Sequence, residues 1–546
     1  MKDRIVSLLL AAVLALSVVL IGCGGEQVPE ITEYTLTISS TEGGEVPTPG
    51  EGPFTYDEGE EVSLVAEHDE DYLFDKWTGD VETIADVNSA STTITMDGDY
   101  SVTANFAVKQ YSLIIHSTEG GSVTTPGEGA STYDDGTVVN LIAQPDEGYQ
   151  FIGWTGNTST VADIDAAQTT ITMNGGYSIT ADFAKEIRDW YELGAVRHDL
   201  DGSYVLMNDL DSTGAGYNEL ASRASNGGKG WQPIGTLEPF TALVGSFDGQ
   251  AHEIRDLFVD RPDEDSVGLF GIVYEGGVIK NIRVVSLNVT GRIGVGGLLG
   301  NNWGGTVMNC YSSSSVTGDE FVGGLIGMND DGIVINSRSA GSVTGDLYTG
   351  GLVGGHWGGL VSNSYSAGNV TGQDGVGGLV GENHEGAIDG SYAMGNVTGY
   401  WSVGGLLGEN HGGRIENSYA VGNVGGAVFI GGLVGYNDGT VVSSYASAGA
   451  NGDEYVGGLA GWNGWQGTVS NSFWDIVASG MGESAGGTGK TTAEMQAVAT
   501  FTEIETVGLD EAWHMVAVAP GETDEAFVWN IVDGLSYPFL SWQSLS

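Results

Sequence analysis

The stretch GGLVGENHEGAIDGSYAMGNVTG, residues 377–399, decides the fold. It reads as three short strand-like runs: around Leu379-Val380, from Ala387-Ile388 to Tyr392, and at Asn396-Val397-Thr398. Glycines stand between the runs, at corners where a positive φ is cheap only for glycine. No ten-residue helical pattern occurs in it. The unit recurs. VGLFG at Val267 is followed by VGGLLG, VGGLIG, TGGLVG, VGGLVG, VGGLLG, IGGLVG and VGGLAG. Their first leucines are Leu269, Leu298, Leu325, Leu352, Leu379, Leu406, Leu433 and Leu459, spaced by 29, 27, 27, 27, 27, 27 and 26 residues. So regular a period means stacked similar units, none able to bury its own face alone. Parallel stacking predicts an all-β fold with a β-solenoid of about eight rungs, right-handed by the crossover rule. At roughly 4.8 Å per rung the rod is about 40 Å long.

Columns across the repeats agree with stacking. Four residues after each leucine from the second onward stand Asn302, Asn329, His356, Asn383, Asn410, Asn437 and Asn463, an expected amide ladder. Thirteen residues after the second to sixth leucines stand Tyr311, Arg338, Tyr365, Tyr392 and Tyr419. Five residues after each leucine stand Trp303, Asp330, Trp357, His384, His411, Asp438 and Gly464, with Trp462 and Trp465 near the end. Indoles projecting from corners are candidate contacts for a flat sugar ring or a protein partner. The alternative is that each indole folds back over its own glycine corner. His384 and His411 are two metal-capable groups with no third named. Each repeat leucine and its apolar successor should point to opposite strand faces, so both faces read as partly buried.

The rest of the chain bounds the function. Asp plus Glu number 72 against 17 Lys plus Arg, a net charge of −55 over 546 residues. Such a surface repels nucleic-acid phosphate and anionic membranes. The two cysteines, Cys23 and Cys310, allow no disulfide framework beyond one bridge. Lys2 and Arg4 precede the apolar run IVSLLLAAVLALSVVLIG, which ends at Leu20-Ile21-Gly22-Cys23. This N-terminus resembles a bacterial lipoprotein signal with its lipobox, which implies cleavage before Cys23 and lipid on its thiol. A retained membrane anchor is the other reading, and both export the chain. Cys310 is then a lone thiol, expected to be packed rather than reactive.

A tandem duplication follows. YTLTISSTEGGEVPTPGEGPFTYDEGEEVSLVAEHDEDYLFDKWTGD from Tyr34 matches YSLIIHSTEGGSVTTPGEGASTYDDGTVVNLIAQPDEGYQFIGWTGN from Tyr111, an offset of 77. Trp77 and Trp154 stand at equivalent places, expected core anchors of two small β-rich domains. Over about 74 residues each copy resembles the divergent internalin B-type repeat of bacterial surface proteins, which implies a spacer or stalk without catalytic residues. The 27-residue unit resembles the GLUG motif of bacterial surface proteins. The expected organisation is a signal peptide over residues 1–22, a tether over 23–33 and repeats over 34–107 and 110–184. An N-terminal cap with the first rung covers 187–290, the GLUG solenoid 291–478, and a C-terminal cap 479–546.

Three motifs suggest chemistry and fall short. SAGGTGKTT, residues 484–492, looks like a phosphate-binding loop, but Ser484 replaces its first glycine and no long buried strand leads in. It reads as a cap connection before a short helix from about Thr492, with no nucleotide, and Lys490→Ala is expected to be nearly neutral. His252-Glu253-Ile254-Arg255-Asp256 begins like a zinc-protease helix but lacks the second histidine. Asp97-Gly98-Asp99 and the acidic runs YDEGEE and EHDEDY offer oxygen ligands without EF-hand spacing. Asn288, Asn369 and Asn396 open NVT triplets, read as strand and corner chemistry.

The expectation is a non-catalytic cell-surface lipoprotein, an adhesin or envelope binding protein. Its membrane contact is the lipid alone, and its partner is a glycan or an extracellular protein. No cofactor or resident metal is expected. Two alternatives stay open: an exported carbohydrate-active β-solenoid and a purely structural envelope spacer. The first would show two carboxylates and a base on one solenoid face. Replacing Cys23 by Ser is expected to abolish fatty-acid labelling of the protein; undiminished labelling would end the lipoprotein reading.

Overall fold

The computed structural model describes residues 31–543. The signal peptide, Cys23 and most of the tether lie outside the described residues. Among these residues no helix is long and apolar enough to cross a membrane.

Each internalin-like unit is a sandwich of a four-stranded and a three-stranded sheet. The duplication extends to single core side chains. Leu36, Leu64, Trp77, Ile94, Met96 and Val102 fill the first unit, and Leu113, Leu141, Trp154, Ile171, Met173 and Ile179 fill the second. Trp77 donates its indole N–H to the Ser89 carbonyl, and Trp154 to that of Ala166, both at 3.1 Å. Both tryptophans are thus core anchors with a satisfied polar end.

The second unit is fused to the rod. Its last strand, Tyr177–Ile187, pairs within the unit and then, through Lys185, Glu186 and Ile187, runs parallel to Tyr204, Val205 and Leu206. That sheet continues strand by strand along the whole solenoid. The rod's lower end is closed by the helix Trp190–Ala195, capped by Asp189, with Trp190 packed edge-on to Trp231.

Each complete rung holds five strands, not three. One example runs Ala387–Asp389, Tyr392–Ala393, Val397–Thr398, Trp401–Gly404 and Leu407–His411. Two features of the chain concealed this. The run from Ala387 to Tyr392 is broken by a left-handed corner, which is Gly390 here and Asn309, Asn336, Asn363 or Asn417 in other rungs. An asparagine tolerates that conformation while looking like part of a strand. The fourth of these strands, which runs into each Gly-Gly-Leu, also carries a left-handed residue that the ladder skips.

The leucine problem resolves at that corner. Leu379 lies between the strands Asp374–Gly377 and Val380–His384, so the chain bends there and both Leu379 and Val380 turn inward. The amides of Leu352 and Val353 both donate to the Leu379 carbonyl, at 2.8 and 3.0 Å. The same fork recurs at Leu406 and Leu433. A carbonyl with two lone pairs accepts both, so the bend leaves no orphaned donor.

Polar columns satisfy one another from rung to rung. Ser337, Ser364, Ser391, Ser418 and Ser444 each receive or donate along the stack, the amide of one donating to the hydroxyl of the next at 3.1–3.2 Å. Cys310 occupies this column one rung below: its amide donates to Ser337 Oγ, and its thiol to the Met308 carbonyl as the serines do. Burial pushes its thiol pKa up to about 12, so it is packed and unreactive.

The amide ladder is present with one flaw. Asn302 donates to Asn329 Oδ1 at 2.7 Å, Asn383 to Asn410 at 3.0 Å, Asn410 to Asn437 at 2.8 Å and Asn437 to Asn463 at 2.7 Å. His356 interrupts it. Its Nδ1 accepts from Asn329, its Nε2 faces the Ala387 carbonyl, and Asn383 Oδ1 is left buried without a partner.

The tyrosine column stacks at 4.8–4.9 Å from Tyr365 through Tyr392 and Tyr419 to Tyr445. The C-terminal region folds back along it. Trp529 packs on Tyr419 and Tyr445, Trp542 stacks on Tyr392 and Tyr365, and Tyr445 donates to the Pro538 carbonyl at 2.7 Å. The cap is therefore also a strap over one side of the rod. Below it the column is open, and the guanidinium groups of Arg283 and Arg338 lie over Tyr311.

The segment Thr488–Lys490 is a strand, not a loop: it extends the tyrosine sheet beside Phe473–Asp475. The helix does begin at Thr492, with Thr491 and Glu494 forming a capping box. Lys490 is buried, donates to the Val507 carbonyl at 2.9 Å and lies over the Phe473 ring. The expected neutrality of Lys490→Ala is thereby corrected. The His252 motif opens the strand Glu253–Arg255, not a helix, and His252 pairs with Asp209.

Two outcomes follow. Lys490→Ala should destabilise the chain by about 1–3 kcal/mol in urea melts, because it removes a buried side chain with its hydrogen bond to Val507 and its packing on Phe473. His356→Asn should restore the donor to Asn383 and stabilise the rod by about 1 kcal/mol. Burial lowers the His356 pKa to about 4, against about 6.5 when unfolded. The unfolded chain therefore binds more protons between those values, and stability is lost as pH falls from 6.5 towards 4. Melts of the two proteins across that window should diverge, the asparagine variant being less acid-sensitive by roughly 3 kcal/mol.

Candidate functional site

The outer side of the leucine sheet, beside the preceding strand, gathers the chemistry. In that strand the skipped left-handed residue is Gly294, Phe321, Tyr348, Gly375, Ser402, Phe429 and Tyr455 in successive rungs, with φ between 49 and 68°. Bulky side chains rarely hold this conformation, which costs about 1–3 kcal/mol each. Their side chains meet those on the adjoining leucine-sheet strands. Phe321 stacks on Tyr348 and packs edge-on to Trp357. Phe429 packs on Tyr436, Tyr455 and Trp462, and also on Trp401. Tyr455, Trp401, Trp462 and Trp357 remain 36–52% exposed.

Between these two aromatic groups lie two rungs of different character. There the left-handed residues are small, Gly375 and Ser402, and the leucine strands present Glu382 and His384, then Glu409 and His411. Glu382 and Glu409 are in register on adjacent parallel strands. Among the described residues this is the one place where three metal-capable side chains converge: donor atoms of Glu382, Glu409 and His411 all lie within 4.8 Å of one another.

The electrostatics separate the two carboxylates. Burial raises the Glu382 pKa, with the Trp357 indole N–H, 2.9 Å from its Oε2, only partly offsetting this. Burial also acts upward on Glu409, but hydrogen bonds from His411 and Ser402 and the imidazolium charge outweigh it, and its pKa is lowered. His411 is raised by its hydrogen bond to Glu409, at 3.0 Å, against the opposing effect of burial. Asp374 is raised by burial and by the Glu409 charge. Burial and the charges of Glu382, Glu409 and Asp374 push Tyr348 up to about 12.

The residues singled out in the sequence distribute as follows. Trp357, His384 and His411 line this stripe, and Trp462 ends it. Trp303 lies at the lower end, its ring stacked on Phe240 at 5.8 Å. Trp465 is fully exposed beyond the upper end. The left-handed column and the glutamate pair were missed, although an aromatic residue or small substitute four positions before each leucine carried the signal. A cavity of about 660 Å³ at the N-terminal cap has Lys229, Arg261 and Arg292 in its wall, each paired with Glu264 or Asp265, so its charges are internally satisfied.

Comparison with known proteins agrees with the fold. Residues 34–110 and 111–187 match the divergent InlB B-repeat domain family, and residues 291–317, 345–371 and 399–425 match the GLUG motif family. Halomucin of Haloquadratum walsbyi is 39% identical over 101 residues, 18% of this chain and 1% of the relative. A protein of Evansella cellulosilytica named as a Gly-rich membrane protein is 35% identical over 104 residues, 18% of this chain and 11% of the relative. The chain thus spans a small fraction of either relative. A Bacteroides ovatus crystal structure titled as an immunoglobulin A1 protease is 22% identical, covering 44% of this chain and 75% of that one. Its TM-score of 0.34 carries no argument about fold or chemistry. The chain carries two tandem repeats that match the divergent InlB B-repeat domain, followed by a parallel β-solenoid in which three segments match the GLUG motif.

Proposed function

We propose that the protein is an exported, lipid-anchored surface protein that binds a glycan along the aromatic stripe, as an adhesin or envelope binding protein without catalysis. The observation that carries this is the stripe itself. Phe321, Tyr348, Phe429 and Tyr455 hold a costly backbone conformation and back the exposed Trp357 on one side of a polar notch and the exposed Trp401, Tyr455 and Trp462 on the other. Flat rings at both ends with carboxylates and imidazoles between them suit a chain of sugar rings, apolar on their faces and rich in hydroxyls at their edges. The two repeat domains would hold the solenoid away from the anchor at Cys23. The repeat families and the Evansella relative's name support an envelope location.

A second reading, an exported carbohydrate-active enzyme, draws on Glu382 and Glu409. Their pKa values are pushed apart beside His411, the pattern of an acid and its partner.

The test is a glycan and matrix-protein array probed with the whole chain and with the Trp357→Ala, Trp462→Ala double variant. Binding is expected to fall at least about a hundredfold with the two rings lost, while the chain stays folded with a melting temperature lowered by the missing Trp357–Glu382 hydrogen bond. Equal binding by both proteins sinks the stripe, and an empty array favours a structural spacer. Release of reducing ends from a bound glycan, abolished by Glu382→Gln, would replace the binding reading with the enzyme.

A further inference from the structure

We infer that Glu382, Glu409 and His411 form a site for one divalent cation of the zinc class, independent of whether the stripe holds a glycan. The argument begins with register. Parallel stacking places Glu382 directly beside Glu409, and like charges so paired repel. Elsewhere in this column the rungs carry Asn301, Met328, Gly355, Tyr436 and Trp462, so no other adjacent pair repeats a charge. Glu382 is 7% exposed, and among the described residues only its Oε2 accepts a hydrogen bond, from Trp357. Its other oxygen has no protein donor. A mostly buried carboxylate with one oxygen free beside a second carboxylate and an imidazole is a donor set suited to a cation.

The chemistry of the set selects the cation. Two carboxylate oxygens and one imidazole nitrogen match zinc and its neighbours, whereas calcium takes six to eight oxygens. A tetrahedral zinc with bonds of about 2.0–2.1 Å places its donors roughly 3.3 Å apart. Donor atoms within 4.8 Å therefore need to close in by at most about 1.5 Å. Gly375 and Ser402 are small where neighbouring rungs carry Phe or Tyr, and the Tyr348 ring lies over Gly375. Zinc would take the place of the proton that His411 shares with Glu409, which passes to solvent. Three protein donors leave a fourth position on the exposed side, where His384 stands.

The many surface carboxylates of this chain bind cations weakly, so the experiment must separate them from a built site. The chelator-treated full chain is titrated with Zn²⁺, and with Co²⁺ followed by its visible absorption, in millimolar Ca²⁺. A single tight equivalent that raises the melting temperature is expected. Glu382→Gln, which preserves shape, and His411→Ala should each weaken it at least about tenfold, while Asp330→Asn in the neighbouring column leaves it unchanged. Zinc displaced by calcium, or bound equally by the native chain and Glu382→Gln, overturns the site. If His411→Ala fails to fold, the glutamine variant alone decides.

Discussion

Every column in the rod depends on how closely the Gly-Gly-Leu corner lets one rung approach the next. A Cβ on Gly350 would fall within the Val353 carbonyl oxygen, and one on Gly351 within that of Gly378 in the next rung. Neither glycine has a positive φ, so the requirement is space for stacked backbone rather than torsional freedom. With that space the forked bond to each leucine carbonyl forms, both leucine and its neighbour turn inward, and the interior fills with aliphatic columns. The core runs without interruption from Ile187 to Trp474.

Exact superposition of like residues then has two consequences. Groups that are both donors and acceptors benefit: serine and asparagine each complete the one above or below, while the tyrosines stack ring on ring. Histidine, whose donor is turned to a backbone carbonyl, and glutamate, an acceptor alone, do not. Histidine at position 356 accepts from one neighbour and cannot donate to the other, which leaves Asn383 short. Glutamates at 382 and 409 have no such complementarity, and what compensates them must come from Trp357, Ser402 and His411, or from outside. A stack of identical units thus makes its irregular rungs conspicuous, and here these rungs coincide with the small-residue notch between the aromatic clusters.

The period, the asparagine and tyrosine columns, and the paired cores of the two repeats were legible because they follow from spacing alone. Trp77 and Trp154 needed only the offset of 77. The five-strand rung was not legible, because Asn309 or Asn363 in a left-handed corner looks like a strand interior. Nor was the strained column, since Phe321 or Tyr348 before Val322 or Thr349 resembles ordinary alternation until the skipped register is seen. The strap over the tyrosines depends on contacts across more than a hundred residues, such as Trp542 on Tyr392, and the burial of Lys490 depends on its strand pairing beside Phe473–Asp475. No local pattern encodes these.

The strand Tyr177–Ile187 belongs both to the second repeat and to the rod, and this has a mechanical consequence. From Gly129–Asp134 to Thr468–Ser470 the strands form one unbroken hydrogen-bonded path of thirteen members. At about 4.8 Å per step that is a girder roughly 60 Å long. A flexible linker would let the stripe sample all directions, whereas here rotating the rod against its neighbour means breaking sheet. The second repeat thus serves as a bracket that sets the bearing of the rod, and whatever meets the stripe meets it at a fixed angle.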